Sequence, residues 1–323
     1  MVSMKDIARK LNLSRCTVSN VLNHTHYANA YRPETVARVK EAAREMGYIS
    51  NHVAKSLKTG MTGSIALVVP DIANTFFINI IKEVERLANA TDYSLIICVA
   101  EEDMEKENRA LRMLQSRMVD GVLISPTSYT NSLCDSYSFK IMCFDRTVQS
   151  KKYPSIMIND EKAAYDLTKQ LFARGSQKLL FLAGSKTNYT VECRLRGINR
   201  AYKNAGLPLS SFKSIYGIFD DVTAQAKIDR LLKNASFDFD GVLLSTNYFI
   251  FGVLKAFEKH SFSPKAIGGF ENVPGLDLVN PSIIYVEHNE AEIARKSFEG
   301  LLDLLQNREV SDKVIDTCIR ENH

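Results

Sequence analysis

The sequence lacks any long hydrophobic run. No segment of its 323 residues approaches the run of about eighteen apolar residues that a membrane-spanning helix requires. The N-terminus is polar and charged from Lys5 onward, whereas a secretory signal needs an apolar stretch behind its first basic residues. We therefore expect a cytoplasmic protein with no signal peptide and no membrane partner.

The sequence also lacks the motifs that mark common enzyme classes. It has no glycine-rich phosphate-binding loop, no nucleophile elbow and no paired metal-ligand spacing among its six histidines. Its six cysteines are scattered, which favours free thiols over a disulfide framework. We expect a protein that is not an enzyme and that holds no metal and no cofactor.

Positive charge is concentrated at the N-terminal end. Residues 1–60 carry ten Lys or Arg against four Asp or Glu, a balance of +6, whereas the remaining 263 residues carry 31 basic and 33 acidic groups, a balance of −2. A basic segment on a near-neutral body is typical of a module that binds nucleic-acid phosphates. The alternative is a solvated basic face.

The same segment has the pattern of a helix-turn-helix. The first predicted helix begins at a reciprocal capping box of Ser3 with Asp6, and Ser14 with Thr17 marks the start of the second. An apolar seam at helical spacing joins the two helices; it consists of Ile7, Ala8, Leu11, Leu13, Val18, Val21 and Leu22. The residues left facing outward are Arg15, Cys16, Thr17, Ser19, Asn20 and Asn23.

A third helix and a linker follow. Pro33 at a first helical position predicts a helix over 34–46. Residues 51–58 are compatible with a helix but carry too few apolar groups for it to be stable alone. We assign residues 1–49 to a helix-turn-helix DNA-binding domain and residues 50–63 to a hinge helix and linker.

From Ser64 onward, apolar runs typical of buried strands alternate with helical periodicity. Strands are predicted at 65–69, 94–99, 121–125, 141–144, 178–183, 241–245 and 265–269, and helices at 76–90, 104–117, 161–174, 191–205 and 248–259. Continuous apolar strands separated by helices indicate parallel sheets that are covered on both faces. Residues 64–323 are therefore predicted to form an α/β core of two doubly wound parallel-sheet lobes, with ligands in the cleft between them.

Six motifs resemble the lactose and galactose repressor (LacI/GalR) family. They are KDIA at 5–8, TVSNVLN at 17–23, AREMGY at 43–48, NHVAKSL at 51–57, VPDIANTFF at 69–77 and VDGVLI at 119–124. The resemblance implies a homodimeric transcriptional regulator, most often a repressor, that binds a pseudo-palindromic double-stranded DNA operator. It also implies a core similar to periplasmic sugar-binding proteins, with a small-molecule effector, a sugar or sugar derivative, in the inter-lobe cleft.

The resemblance assigns DNA contacts residue by residue. Toward base edges it places Arg15, Cys16 and Asn20, and toward phosphates Ser14, Thr17, Ser19 and Asn23. Arginine can form two hydrogen bonds with guanine and asparagine two with adenine, each pair giving about 1–3 kcal/mol of discrimination. In the hinge, Leu57 is expected to wedge into a central pyrimidine–purine step of the minor groove, beside Ala54 and Lys58. The alternative for Leu57 is an apolar linker residue that packs on the core.

The resemblance places nine residues at the effector cleft. They are Phe76, Phe77, Asp145, Thr190, Arg194, Phe219, Thr246, Asn247 and Glu271. Arg194 and Glu271 are the best polar candidates, because a guanidinium or a carboxylate can bond two adjacent hydroxyls, while aromatic faces pack on a sugar ring. One of the two phenylalanines is expected to be an ordinary core residue.

Departures from the family pattern leave an alternative open. Thr246 and Asn247 stand where the family usually has Asn-Asp, and Glu271 replaces the usual aspartate. The alternative is a regulator whose altered cleft responds to a partner protein or to a non-sugar metabolite. Arg32 stands in place of a serine cap, which is expected to weaken the start of the third helix by about 1 kcal/mol. Because no leucine heptads are found at the C-terminal end, a dimer is expected rather than a tetramer.

Overall fold

The computed structural model describes residues 2–22, 31–48, 61–91, 93–130, 137–150, 152–234, 237–279 and 283–321. The chain divides into two compact units, Met1–Thr62 and Gly63–His323. The predicted hinge segment 51–58, with Ala54, Leu57 and Lys58, lies outside the described residues, as does Asn23.

In its described residues, the N-terminal unit contains three helices around one small core. They are α1 (Met4–Leu11), α2 (Arg15–Leu22) and α3 (Pro33–Glu45). Both predicted starts are present: the backbone N of Ser3 donates to Asp6 Oδ2 at 3.0 Å, and the backbone N of Thr17 donates to Ser14 Oγ at 2.9 Å. At the N-cap of α3, the Arg32 side chain makes no capping hydrogen bond. The buried core is Ile7, Ala8, Val18, Val21, Val39, Ala42 and Ala43.

The larger unit alternates strands with helices. Its strands are β1 (Ser64–Val69), β2 (Ser94–Val99), β3 (Gly121–Ile124), β4 (Lys140–Asp145), β5 (Ser155–Ile158), β6 (Leu179–Leu182), β7 (Phe212–Ile215), β8 (Gly241–Leu244), β9 (Ala266–Phe270), β10 (Ile284–Glu287), β11 (Lys313–Ile315) and β12 (Cys318–Glu321). Its α-helices are α4 (Thr75–Asn89), α5 (Met104–Ser116), α6 (Asp160–Ala173), α7 (Tyr189–Ala205), α8 (Asp221–Asn234), α9 (Ile250–Lys259), α10 (Leu276–Val279) and α11 (Glu290–Leu305). Short 3₁₀ turns lie at Leu209–Ser211 and Asn247–Phe249.

The strands form two six-stranded sheets of matching topology. The first has the order β11-β5-β4-β3-β1-β2 and the second β12-β10-β9-β8-β6-β7. All pairs in the first sheet are parallel, and in the second only β12 runs antiparallel, against β10. The central strands are buried, as parallel strands covered by helices on both faces must be. The predicted fold class of two parallel-sheet lobes is confirmed.

Within the described residues, the chain passes from one lobe to the other at three points. After β5 it enters α6, which packs on α7 and β9 of the second lobe, and after β10 it returns through α11, which packs on α4 and β4. The third passage joins β11 to β12. Asn159 links the first and third passages, because its backbone N donates to the backbone O of Ile315 at 3.1 Å and its Nδ2 donates to Asp316 Oδ1 at 3.4 Å.

In the part of the chain that the structure describes, no helix is long and apolar enough to cross a membrane. The five cysteines among the described residues are free thiols; Cys16 and Cys318 are exposed, and Cys143 and Cys193 are buried. Among the described side chains, no group of His, Cys, Asp and Glu is arranged to hold a metal ion.

Candidate functional site

The side of α2 that faces away from the core contains the described residues expected to contact DNA. Ser14, Arg15 and Cys16 are exposed, and Thr17, Ser19 and Asn20 are partly exposed. Asn20 Nδ2 donates to Tyr31 Oη at 3.1 Å, which fixes the orientation of the amide. Sequence reasoning missed Tyr31, whose position two residues before the third helix was the available signal.

A cavity of about 290 Å³ lies in the larger unit where the carboxyl ends of the two sheets meet. Eight of the nine residues predicted at the cleft line it, namely Phe76, Phe77, Asp145, Thr190, Arg194, Phe219, Thr246 and Glu271. Asn247 does not line it. This residue is fully buried behind the wall, where its Nδ2 donates to the backbone O of Glu271 at 2.7 Å.

Asp145 and Glu271 occupy matching positions in the two lobes. Asp145 ends β4 and Glu271 follows β9, and each of these strands is the third in its sheet. Both residues have a left-handed backbone, with φ of +61° and +72°. Residues other than glycine seldom adopt this conformation, and where they do it is often at a functional site.

Burial perturbs both carboxyl groups. It raises the pKa of Asp145 from 3.8 to about 6, against the opposing charge of Arg146. It raises the pKa of Glu271 from 4.5 to about 7, and Arg194 opposes this shift. The Thr246 hydroxyl also opposes it by donating to Glu271 Oε2 at 2.6 Å. The charge of Asp145 further raises the pKa of Glu271, so the two carboxylates repel each other across the cleft.

Arg194, on α7, is held mainly by other protein groups. Its Nε donates to Asp160 Oδ1 at 2.7 Å, and its Nη1 donates to the backbone O of Ser245. Its guanidinium carbon lies 3.6 Å from the centre of the Phe270 ring, a cation–π contact. The side chain is only 5% exposed. Arg194 therefore reaches the cavity as part of a buried network and not as a free charge.

Arg146 is a second cleft arginine, which sequence reasoning missed. Its guanidinium forms a two-bond pair with Glu102, with Nη2 donating to Oε1 at 2.8 Å and Nη1 to Oε2 at 3.0 Å. Its Nε lies 3.5 Å from Asp145 Oδ2. The available signal was its position directly after Asp145. Further lining residues that were missed include Asp71, Asn74, Glu101, Asn188 and Tyr248.

The aromatic wall of the cleft is joined to the core of the first lobe. Phe76 and Phe77 are both buried in that core and both line the cavity, with ring centres 5.0 Å apart at an edge-to-face angle. One of the two was expected to be an ordinary core residue, but both rings belong to the core and also line the cavity. Phe219 differs, because it is 52% exposed at the cavity edge.

His288 lies behind the phenylalanine pair at the second passage between the lobes. Its ring is 5.4 Å from that of Phe76 and 6.2 Å from that of Phe270. Both ring nitrogens are buried and have no hydrogen-bond partner among the residues that the structure describes, and burial lowers the pKa of His288 to about 3. The imidazole is therefore neutral and acts as an apolar packing element.

Two family profiles match the chain in succession. Residues 3–51 match the profile described as bacterial regulatory proteins, lacI family. Residues 62–318 match the profile described as periplasmic binding proteins and sugar binding domain of LacI family.

Individual proteins are similar along nearly the full length. The HTH-type transcriptional regulator RegA of Clostridium saccharobutylicum is 28% identical over 96% of this chain and 94% of its own. The HTH-type transcriptional repressor PurR of Aliivibrio fischeri (strain MJ11) is 26% identical over 98% and 95%. The solved structure of the Cra transcriptional dual regulator of Pseudomonas putida, in complex with fructose 1-phosphate, superposes with a TM-score of 0.73 and 16% identity, covering 81% of this chain and 99% of its own.

Proposed function

Because the chain belongs to the LacI family of bacterial regulatory proteins and is therefore a DNA-binding transcriptional regulator, not an enzyme, we propose that it is a repressor controlled by a small molecule. The repressor binds a pseudo-palindromic operator as a homodimer, and a sugar or sugar derivative occupies the inter-lobe cleft. The name of the PurR relative supports repression, and the name of the core profile supports a sugar ligand.

The DNA-binding part of the proposal rests on α2 and on charge. The exposed residues of α2 offer one guanidinium, one amide and several hydroxyls, which are the groups that contact base edges and phosphates. Arg15 is assigned to a guanine and Asn20 to an adenine. Two copies of α2 in a dimer would contact two half-sites about one helical turn apart. The minor-groove wedge by Leu57, with Ala54 and Lys58, and the contact by Asn23 stay proposals from the sequence resemblance.

The observation that carries the effector proposal is the cleft itself. Its volume of about 290 Å³ lies near the lower end of the range for small-molecule sites. The wall combines carboxylates and hydroxyls with aromatic rings, a mixture that suits a polyhydroxy ligand. Thr246 and Glu271, which depart from the family pattern, bond each other at 2.6 Å and so form one polar wall. That wall favours a small polar ligand over the alternative of a partner protein.

If the effector changes the affinity of the protein for its operator, the operator must change the affinity for the effector by the same factor. We propose that a ligand in the cleft changes the closure of the two lobes, and that closure changes how well the hinge segments of the dimer bind DNA. An inducer weakens operator binding and a corepressor strengthens it. Operator affinity measured with and without ligand at fixed salt distinguishes the two.

Selection of bound sequences from a random duplex library tests the proposal. The full chain is used at near-physiological salt, because phosphate contacts make affinity depend on salt. We expect a pseudo-palindrome with a central pyrimidine–purine step. Binding without a motif, which simply fades as salt rises, would reduce the N-terminal unit to a non-specific phosphate binder and contradict the proposal.

A further inference from the structure

We propose that the effector carries a positively charged ammonium group beside its hydroxyls, as an amino sugar does, and that Asp145 and Glu271 hold this group from opposite lobes. The inference rests on the proposed function, binding of a small molecule in the inter-lobe cleft, and it names the chemical class of that molecule.

The first support is that both arginines of the cleft are already paired. Arg146 donates two hydrogen bonds to Glu102, and Arg194 donates one to Asp160 and one to the backbone O of Ser245. An incoming anion would have to compete with these bonds. Among the described residues that line the cavity, Arg146 and Arg194 are the only Lys or Arg.

The second support is an excess of carboxylates. The cavity is lined by Asp71, Glu101, Glu102, Asp145 and Glu271, five acidic groups against two arginines, a formal balance of −3. Glu102 pairs with Arg146, and Glu101 pairs with Lys106 outside the lining. Asp160, beneath the wall, forms an ion pair with Arg194. Among the described residues, Asp71 and Glu271 are therefore in no ion pair, and Asp145 has only the Nε of Arg146 at 3.5 Å, a guanidinium that Glu102 already binds.

The third support is the position of two of these groups. Asp145 and Glu271 come from opposite lobes, are each less than a tenth exposed, and repel each other across the cleft. Desolvation disfavours the ionised form of both, as their raised pKa values reflect. A cation between them would lower the pKa of each carboxyl and turn repulsion into attraction. The same contact would draw the lobes together.

A phosphorylated sugar suits this cleft poorly. The related fold of the Cra regulator holds fructose 1-phosphate in its crystal structure, and a phosphate group favours unpaired guanidinium or backbone N–H donors. In this protein a phosphate would face the carboxylates of Asp145 and Glu271, and both arginines already donate to protein acceptors. The Nε of Arg146 has no hydrogen-bond acceptor among the described residues, but it lies 3.5 Å from Asp145 Oδ2. Thr246 and Thr190 also line the wall beside Tyr248. Their hydroxyls already donate to Glu271 Oε2 and Asn188 Oδ1, so toward the uncharged part of a ligand they can act as acceptors.

Matched sugars test the inference. Dissociation constants are measured at pH 7 by calorimetry on the full chain for glucose, galactose and mannose, for their 2-amino-2-deoxy forms and for their 6-phosphates. In parallel, a small-molecule cell extract is divided on cation- and anion-exchange resins, and each fraction is assayed for its effect on the melting temperature. We expect at least one amino sugar to bind about tenfold or more tightly than its parent, or about 1.4 kcal/mol, and the stabilising activity to be retained on the cation exchanger.

Variants localise the effect. Asp145→Asn and Glu271→Gln keep the shape of each side chain and remove its charge, and each is expected to abolish the preference for the amine over the parent sugar. Glu309→Gln removes an exposed charge of the segment after α11 and is expected to leave the preference unchanged.

Two distinct results would count against the inference. Tighter binding of parent sugars or phosphates, stabilising activity outside the cation-exchange fraction, or a preference that survives both cleft variants would overturn the charge assignment and leave the proposed function standing. If no sugar binds and no extract fraction stabilises the protein, small-molecule control itself is wrong, and the inference falls with it.

Discussion

At the scale of single residues, the cleft concentrates groups that are costly to bury. Asp145 and Glu271 are buried with raised pKa values, so the folded protein holds their protons more tightly than the unfolded chain does. Their contribution to the free energy of unfolding is therefore fully present below the ordinary values of 3.8 and 4.5, and it is lost as the pH rises through about 6 and 7. The lowered pKa of His288 acts in the opposite sense below pH 6.5.

Neutral variants of these carboxyls should be more stable than the parent at high pH. We expect Asp145→Asn and Glu271→Gln each to raise the free energy of unfolding at pH 8 by on the order of 1–3 kcal/mol. The gain should shrink toward pH 5, where the parent carboxyls are protonated in the folded state. Urea unfolding at both pH values measures this, and the effect of His288 cancels because parent and variant share it. A gain independent of pH would contradict the argument.

Arg15 is the residue whose loss should change sequence preference. We expect Arg15→Ala to weaken binding to the selected operator by about 1–3 kcal/mol and to relax specificity at one base pair of each half-site. The matched control is Arg9→Ala, which removes an exposed charge from α1 and should weaken operator and random duplex by the same factor. Competition binding at fixed salt separates the two. If Arg15→Ala, like Arg9→Ala, weakened operator and random duplex by the same factor, Arg15 would not be a base-reading residue.

At the scale of elements, close helix packing depends on particular glycines. A Cβ at Gly252 in α9 would lie 2.0 Å from the backbone O of Asp221 at the start of α8, so a helix would have to move. A Cβ at Gly300 in α11 would lie 2.9 Å from the flexible end of Met142. Alanine gains about 1 kcal/mol of helix propensity over glycine in both helices. The two positions therefore differ in their neighbour: at Gly252 it is helix backbone, which cannot move alone, and at Gly300 it is a flexible side chain, which can.

Alanine substitutions at these two positions form a matched pair. We expect Gly252→Ala to lower the free energy of unfolding by about 1–3 kcal/mol, the usual range for overpacking. The free energy of unfolding of Gly300→Ala should stay within about 1 kcal/mol of the parent. The Met142 side chain can rotate away at a small cost, and the higher helix propensity of alanine opposes that cost. Denaturant unfolding of the full chain measures both. Similar losses in the two variants would show that the α8–α9 contact can relax.

At the scale of the whole molecule, the larger unit is two lobes joined at three passages. Residues 159 and 315–316 are bonded to each other where two of these passages meet, and His288 is buried at the remaining one. The cleft opens between the carboxyl ends of both sheets. Any ligand that binds groups of both lobes must therefore favour one relative position of the lobes over another, and population shift follows from that difference in affinity.

Removing the repulsion across the cleft should imitate the effector. We expect the double variant Asp145→Asn with Glu271→Gln to shift operator affinity, without ligand, in the same direction as effector shifts the parent. A several-fold change lies within the usual range of coupling free energies. Operator titrations at fixed salt measure it, with Glu309→Gln as the control. An unchanged or oppositely shifted affinity would separate cleft electrostatics from DNA binding.

The sequence by itself determined the features that depend on local pattern. Helical spacing and capping residues indicated α1 and α2, and continuous apolar runs indicated the central strands, because both signals need only neighbours along the chain. Strands β5, β7, β10, β11 and β12 were missed. All five are short, and β7, β11 and β12 are also partly or largely exposed, whereas β5 and β10 are mostly buried but only four residues long, so each leaves little apolar pattern. The family was recognised from motifs that are contiguous in sequence.

Only the tertiary structure decided which charges meet. The pairs of Arg146 with Glu102, and of Arg194 with Asp160, join residues 44 and 34 positions apart. The matched geometry of Asp145 and Glu271 depends on two sheets of the same topology. The sequence resemblance assigned Arg194 to the effector site. In the structure its buried side chain also donates to Asp160 and to the backbone O of Ser245, so it has a structural role as well. Electrostatic energy depends on distance and on solvent exclusion, and both are set by folding rather than by order along the chain.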